Sequence, residues 1–347
     1  MLISRPRVMY LLDHYLSISE TYVQAEMEAL GDDYEIRVIS LTPSPDFSPA
    51  SRNHHPFRVI AEPQLILEAV REFRPHVIHG HHLTGVQWLG EIAKRANVPF
   101  TVRAHSFESI WGERDPAPAH FPLVAPLLND KVCLGILAFP FTRANLERAG
   151  IHKEKIHDCY PVINYERFHD RSPNGDGVMA TGIGQPRKNL QAFIELAAAT
   201  PGTRFSLYAL GFEVEKLRQL NERLGGPVRV VPPVEPADMP REYKKHRWLV
   251  VTASEISSRG WPVSVAEAQA SGVGVCAPRL RPDMREYVGE CGFLYDSIGE
   301  AREIISRPFP EEMRQAGFEH ARKSDIKGHR HILTGLWRKA VANGRGR

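Results

Sequence analysis

The stretch GIGQPRKN, Gly182–Asn189, follows the apolar run Gly177–Thr181 and reads as a loop opening a helix at Asn189. Gly182 and Gly184 permit a tight turn and close approach of the backbone to a partner. Arg187 and Lys188 fall where the first N–H groups of a helix and its dipole favour an anion. A cation at that end is disfavoured unless an anion sits with it. Two adjacent cations there point to a diphosphate, against the plainer reading of exposed charge. The loop is not a Walker loop, because G-x-x-x-x-G-K-S/T is absent, and no strand is followed by G-x-G-x-x-G. ATP hydrolysis and nicotinamide chemistry are therefore disfavoured.

A second stretch is SSRGWPVSVAEAQASGVG, Ser257–Gly274. Gly260 and Pro262 suit the opening of a helix and Gly272 its stop. The helix carries Glu267 between Ala266 and Ala268, small neighbours that let a partner come close. A carboxylate so placed can accept both hydroxyls of a ribose. A third group is HGHHLTG with His79, His81 and His82, followed further on by His105 after Phe100–Ala104. On a strand His79 and His81 share a face, but a metal reading also needs a carboxylate or thiolate, and no acidic residue lies nearby in sequence. No metal is expected there. His105 stands at the end of an expected strand, either as a satisfied polar residue or as a substrate contact.

These groups need elements to position them. Apolar, β-branched runs alternate with helix-period segments throughout. Expected strands are Val8–Leu12, Tyr34–Leu41, Phe57–Ile60, Val77–His79, Phe100–Ala104, Gly135–Phe139 and Ile156–Val162, then Gly177–Thr181, Arg204–Ala209, Val228–Val231, Trp248–Thr252, Val273–Ala277 and Phe293–Tyr295. Helical segments between them include Ser19–Leu30, Pro63–Phe73, Thr84–Ala96, Phe141–Ala149, Asn189–Ala199 and Glu213–Leu224. Such alternation predicts βαβ units and parallel sheets, which bind ligands at the carboxyl ends of their strands. At 347 residues two domains are the default. The polar segment DRSPNGDG, Asp170–Gly177, is the natural linker. The last segment, His329–Asn343, repeats apolar residues at helical spacing but precedes no strand, so it must pack on what is already built.

Composition bounds the rest. Hydrophobic residues make up 42% and charged residues 24%, which is ordinary for a globular chain. The longest nearly apolar run, Val132–Phe141, falls far short of the ~20 residues that span a bilayer. Arg5 and Arg7 precede no apolar signal-peptide core, so a cytoplasmic location is expected. Cys133, Cys159, Cys276 and Cys291 lack metal or redox spacing and read as buried residues of a reducing compartment. Net charge is +3, but eight Lys/Arg against one Asp lie from Ala321 to Arg347. A basic terminal helix can rest peripherally on an anionic membrane face, or simply be solvated. Neither half has the basic surface and aromatic platforms that nucleic acid requires.

These stretches resemble, over nearly the whole chain, the retaining GT-B glycosyltransferases called family 4, of the glycogen-synthase-like, lipopolysaccharide and capsule type. SISETYVQAEMEAL (Ser17–Leu30) is similar to the "SETF" opening of exopolysaccharide members. PHVIHGHHLTG and VPFTVRAHSFE resemble the paired "HaH" and "PxxxtxHa" elements. PVINYERF (Pro161–Phe168) resembles "NGVDxxxF", GIGQPRKNL resembles the "GRLxxxKG" diphosphate loop, and GWPVSVAEAQASGVGV resembles "GFPxxxxEAMAxGxPV", the most specific match.

The resemblance implies two Rossmann-like domains facing across a cleft. Residues 1–168 would form the acceptor domain, joined by the terminal helix, 328–347. Residues 177–327 would form the donor domain. It implies transfer of a sugar from a nucleotide-diphosphate sugar, UDP or GDP, to a glycan, lipid-linked or small-molecule acceptor, in cell-surface polysaccharide synthesis, with no cofactor. Glu267 would hold the nucleotide ribose. Lys188 and Arg187 would bind the diphosphate in place of a metal ion. Gly182, Gly184, Pro262, Val263 and Ser264 would line the donor site. His105 would touch the sugar hydroxyls, with Ser19, Glu20, Thr21 and His81 on the acceptor side.

The chain departs from the family's motifs at three places. Arg259 replaces the first Glu of E-x7-E, Ile183 replaces the Arg of "GRL", and Ser17–Thr21 replaces a Gly-rich loop. Arg only donates hydrogen bonds. Arg259 would therefore hold a donor carboxylate, hold the diphosphate, or leave the acceptor role to Glu255. A catalytically degenerate GT-B partner subunit and a sugar-nucleotide 2-epimerase are the alternatives to an active transferase.

Overall fold

In a computed structural model the described residues are 5–15, 20–44, 55–112, 115–253 and 260–344. Ser19, Glu255 and Arg259 lie outside them. The chain divides into two compact units. One comprises the residues up to Val162 with those from Ile326 on, and the other comprises Ile163–Asp325.

The first unit holds a parallel sheet built from β1 (Arg7–His14), β2 (Glu35–Thr42), β3 (Phe57–Val59), β4 (Val77–His81), β5 (Phe100–Arg103), β6 (Cys133–Ala138) and β7 (Ile156–Asp158). Their order is β3-β2-β1-β4-β5-β6-β7. Alternation along β1 sends Met9 and Leu11 to one face and Val8, Tyr10 and Leu12 to the other, and both faces are covered. Helices Pro63–Phe73 and Val86–Ala96 bury Ile66, Val70, Leu89 and Ile92 on the first face. Helix Thr21–Leu30 and the terminal helix Ile326–Gly344 cover the second with Val23, Met27, Leu333 and Trp337. A sheet buried on both faces explains why strands such as Val77–His81 are buried at every position.

The terminal helix needs no strand of its own because its apolar stripe completes this second layer. Trp337 is fully buried, meets Tyr34 edge-on at 5.3 Å, and donates its indole N–H to Thr101 Oγ1 at 3.0 Å.

The second unit holds a parallel sheet of β8 (Gly177–Ile183), β9 (Phe205–Leu210), β10 (Val228–Val230), β11 (His246–Val250), β12 (Gly274–Pro278) and β13 (Gly292–Tyr295), ordered β10-β9-β8-β11-β12-β13. Helix Tyr165–Phe168 belongs to this unit: Ser271 Oγ donates to Phe168 O at 3.3 Å, and the Phe168 ring meets Tyr243.

The expected elements are present with shifted ends. The strand expected over Ile156–Val162 stops at Asp158, ahead of Pro161, which has no N–H for a ladder. The segment expected as a helix from Phe141 is a 3-10 turn, Pro140–Thr142, followed by helix Arg143–Arg148. All four cysteines are free and buried. Among the described residues no helix is long and apolar enough to cross a membrane.

Candidate active site

In each sheet the strand order reverses once, between β1 and β4 in the first unit and between β8 and β11 in the second. Loops leaving the carboxyl ends of strands on either side of such a reversal diverge and leave a crevice, the usual ligand position in open α/β sheets. Among the described residues, the turn with Arg187 and Lys188 follows β8, and Glu20 and His82 follow β1 and β4.

In the second unit, β8 ends in Gly182 and Ile183. Gly182 has φ +156, a conformation that L side chains rarely adopt, and the Lys188 side chain passes over it. Gly184 has a different part. It is buried, its N–H donates to Leu210 O at 2.6 Å and its carbonyl accepts from Glu213 N–H at 3.1 Å. It therefore joins the β8 and β9 loops. Arg187 and Lys188 lie on a 3-10 turn, Pro186–Lys188, one step ahead of helix Leu190–Ala198, with Asn189 left-handed at φ +46 between them.

Thr252, just past β11, donates its hydroxyl to Lys188 O at 2.8 Å, which ties the turn to the other side of the reversal. Arg187 is exposed and donates to Gln185 Oε1. Lys188 is half-buried and lines a small recess with Thr181, Val251, Thr252, Pro262 and Ser264. Burial first, then the neighbouring Arg187, pushes its ammonium down to about 8. A desolvated cation with another beside it is what an anion would relieve.

The opposite wall is the start of helix Val263–Ala270. Its approach is fixed by packing. Trp261 stacks on Tyr287 at 4.7 Å and donates to Asp283 Oδ2, while the Tyr287 hydroxyl donates to Pro262 O at 2.6 Å. Pro262 is extended, so Val263 and Ser264 lead the helix with N–H groups that have no intrahelical acceptor. One turn on from Ser264 stands Glu267, half-buried, whose Oε2 accepts the Tyr243 hydroxyl at 2.8 Å. Burial raises its carboxyl to about 7 against the lowering effect of that bond. Gly272 ends the helix at φ +72, and a side chain there would meet Arg314 and Phe318.

In the first unit the histidines do have acidic company, which corrects the sequence reading. Glu26, from helix Thr21–Leu30, is fully buried beneath them. Its Oε1 lies 3.0 Å from His79 Nε2 and 3.3 Å from His81 Nε2 and accepts the Tyr10 hydroxyl at 3.0 Å. Its Oε2 takes Arg103 Nη2 at 2.6 Å. Helical spacing brings a residue remote in sequence under β4.

Glu26, His79 and His81 could each offer one metal-ligand atom within 4.8 Å of the others. The Arg103 guanidinium already neutralises the carboxylate, and His79 Nδ1 is 2.7 Å from Thr101 Oγ1. A divalent cation would have to displace or oppose that buried positive charge.

Above this layer His81 Nδ1 faces His105 Nε2 at 3.3 Å. Burial pushes His81 down to about 4 despite Glu26, and burial with His82 and His81 beside it holds His105 well below the ordinary imidazole range. Both rings are neutral at pH 7. His105 also opens the short helix Ser106–Ser109, its N–H donating to Glu108 Oε2 at 3.0 Å.

His82 was singled out only as part of the histidine run, yet it is the charged ring. It holds a left-handed φ of +71, costly for a non-glycine residue, between Glu20 at 3.1 Å and Glu108 at 3.3 Å. Burial opposes its charge, but the two carboxylates outweigh it and raise the ring to about 10. Burial raises Glu20 as well, and His14 and His82 overcome it, taking the carboxyl down to about 2. Thr21 opens helix Thr21–Leu30 beside this pair.

Two family models match this chain. A glycosyl transferase 4-like domain matches residues 20–157, and a glycosyl transferases group 1 domain matches residues 177–307. No curated protein matches it. HepE of Anabaena, solved in complex with UDP, is similar in structure at a TM-score of 0.76 and 16% identity, over 96% of this chain and 100% of that one. The same protein solved with UDP-glucose superposes at a TM-score of 0.71 over 98% and 100%. Sucrose-phosphate synthase of Thermosynechococcus elongatus gives 0.75 at 14% identity, over 98% and 100%. The fold is therefore GT-B, two Rossmann-like halves with a helix returning to the first. The chain belongs to the family 4-like GT-B glycosyltransferases, and it is a glycosyltransferase enzyme.

Proposed function

We propose that this enzyme transfers a sugar, with retention of configuration and without a metal ion, from a UDP-sugar to a glycan or lipid-linked acceptor in cell-surface polysaccharide synthesis. The observation that carries the donor reading is the recess at the strand-order reversal that Lys188 shares with Pro262 and Ser264 at the start of helix Val263–Ala270, the helix that also carries Glu267 one turn on. Lys188 and the helix start suit a diphosphate, by charge and by helix terminus. Glu267 suits a ribose diol. UDP is favoured over GDP because the similar HepE structures hold UDP and UDP-glucose.

As the bond from the anomeric carbon to the diphosphate oxygen breaks, negative charge grows on the leaving group. Lys188, Arg187 and the helix start would stabilise it without reorganising. His105 and His81, neutral and paired, would meet substrate hydroxyls from the first unit, with Glu20 and Thr21 beside the acceptor. A cytoplasmic enzyme resting on the inner membrane face through its basic terminal helix fits this role.

The test is a hydrolysis and transfer screen over UDP-, GDP- and dTDP-sugars, with thermal shift by the matching nucleotides. A UDP-sugar should turn over, and UDP should raise the melting temperature. Binding of no nucleotide would sink the donor reading. Nucleotide binding without turnover of any donor would favour the degenerate-partner alternative.

A further inference from the structure

Glu267 is a half-buried carboxylate that pairs with no cation among the described residues. Its one hydrogen bond among the described residues comes from the Tyr243 hydroxyl to Oε2, at 2.8 Å. A carboxylate kept from water and left uncompensated is costly, and such an arrangement persists where function needs it. The elements packed on helix Val263–Ala270 carry Arg167, Arg314, Glu319, His320 and Cys276, and Tyr287 stands near its start. None of these outweighs burial and Tyr243 in setting the state of Glu267. Arg314 is spent on Glu311, Arg171 O and Ser172 O, His320 on Tyr287 O, and Tyr287 on Pro262 O.

Tyr243 itself is fully buried and held on both sides in sequence. Glu242 accepts the Tyr208 hydroxyl at 2.8 Å, Lys244 Nζ donates to Asp170 O and Asn174 Oδ1, and Phe168 meets the Tyr243 ring edge-on at 5.8 Å. The short helix Met239–Tyr243 thus fixes the hydroxyl in space.

We infer that Tyr243 is a positioning residue for donor selection: it holds Glu267 Oε2 so that Oε1 accepts the ribose hydroxyls, and the pair selects ribonucleotide over 2′-deoxyribonucleotide sugars. This rests on the donor reading above. Both hydroxyls of a ribose must then donate to the one oxygen left open, which requires the carboxylate to hold one orientation. A carboxylate free to rotate spends part of its binding on being ordered. Tyr243 supplies that order beforehand. It also stabilises the charged form, because its O–H donates to the anion. Glu267, raised to about 7 by burial, is then ionised in the bound complex rather than protonated.

The test measures calorimetric affinity for UDP-glucose and for its 2′-deoxyuridine counterpart from pH 5.5 to 9, in wild type, Tyr243→Phe, Glu267→Gln and Glu267→Asp. UDP-glucose is chosen because its diphosphate diester does not titrate in this range. Wild type should prefer the ribonucleotide, and its affinity should fall as pH drops through about 7. Tyr243→Phe keeps the ring and loses one hydroxyl. The preference should shrink about three- to tenfold, the worth of one hydrogen bond, and the acid limb should move to higher pH. Glu267→Asp, too short to reach the hydroxyl, should behave the same way and covers the case in which Tyr243→Phe does not fold. Glu267→Gln should lose both the preference and the limb. If Tyr243→Phe and Glu267→Asp keep the wild-type preference and limb while Glu267→Gln loses them, the positioning role is overturned and the donor site stands. If Glu267→Gln binds like wild type, the ribose assignment itself is wrong.

Discussion

Arg103 holds Glu26 through two nitrogens on one oxygen, with Nε 3.1 Å and Nη2 2.6 Å from Oε2, beneath the histidines of the first unit. Both side chains are almost fully buried. Removing one partner would leave an uncompensated buried charge, at a cost of about 3–5 kcal/mol. Arg103→Met and Glu26→Gln should each lower stability by that order, measured by urea denaturation. Arg103→Met with Glu26→Gln should cost less than the sum of the two single losses, since no buried charge is then left without its partner and Gln can still accept the Tyr10 hydroxyl. Equal and additive losses in the double variant would show that the two do not act as a pair.

His82 gives the first unit a characteristic pH response. Its folded pKa, about 10, lies above the unfolded value of about 6.5. Its contribution is therefore complete below pH 6.5 and is lost as pH rises through 10. His81 works in the opposite sense. Its folded pKa of about 4 is depressed, so the unfolded chain takes up the proton first and stability falls as pH drops from 6.5 through 4. His82→Gln should cost roughly 2–4 kcal/mol at pH 7 by this linkage and much less at pH 10. Thermal melts across pH 5 to 10 would read this, and a loss independent of pH would refute the charged assignment.

Lys188 should impose the alkaline limit on donor binding. Burial and Arg187 lower its pKa to about 8, and a diphosphate favours the charged form. Above pH 8 binding must first recruit a proton, so affinity for UDP-glucose should fall, toward tenfold per pH unit. Lys188→Ala should remove this limb. Losing a charged contact to the leaving group costs ~2–5 kcal/mol, so turnover should drop at least about thirtyfold. A folded Lys188→Ala variant with near-normal turnover and an unchanged alkaline limb would exclude Lys188 from the site.

Activity should survive EDTA. Lys188 supplies positive charge at the recess with Arg187 next to it in the turn, and the Glu26–His79–His81 trio already carries the Arg103 guanidinium. Steady-state rates with and without EDTA, then with Mg²⁺ or Mn²⁺ restored, check this. Full loss on chelation and recovery with metal would contradict it.

How much of this could be read from the chain follows from the range of each interaction. Strand runs, helix periods and the loop glycines act over a few residues, so β8, the turn at Arg187–Lys188 and the stop at Gly272 were visible. Trp337 and Leu333 could be recognised as an apolar stripe, though not as the cover of one sheet face. Glu26 and Tyr243 were not visible as site residues, because their partners lie far away in sequence: Arg103 and the histidines for one, Glu267 for the other. A buried Glu on an otherwise apolar helix face was the one available signal.

Glu267 should show that this site costs the empty enzyme stability. Its folded pKa, about 7, is raised above the unfolded value near 4.5. Between those values the folded state holds more protons than the unfolded one, so stability declines as pH rises from 4.5 through 7. Above pH 7 the full penalty applies, roughly 1–3 kcal/mol after allowance for the part of the side chain that reaches water. Gln has no charge to desolvate and still accepts the Tyr243 hydroxyl. Glu267→Gln should therefore melt higher than wild type at pH 8 and nearly the same at pH 4.5, while losing most of the stabilisation that UDP-glucose gives wild type. A gain in stability bought by loss of ligand response is the usual mark of a residue kept for function. Calorimetric melts at both pH values, with and without UDP-glucose, decide the matter. A variant less stable than wild type at pH 8, or one still stabilised fully by the ligand, would mean that Glu267 serves the fold rather than the donor.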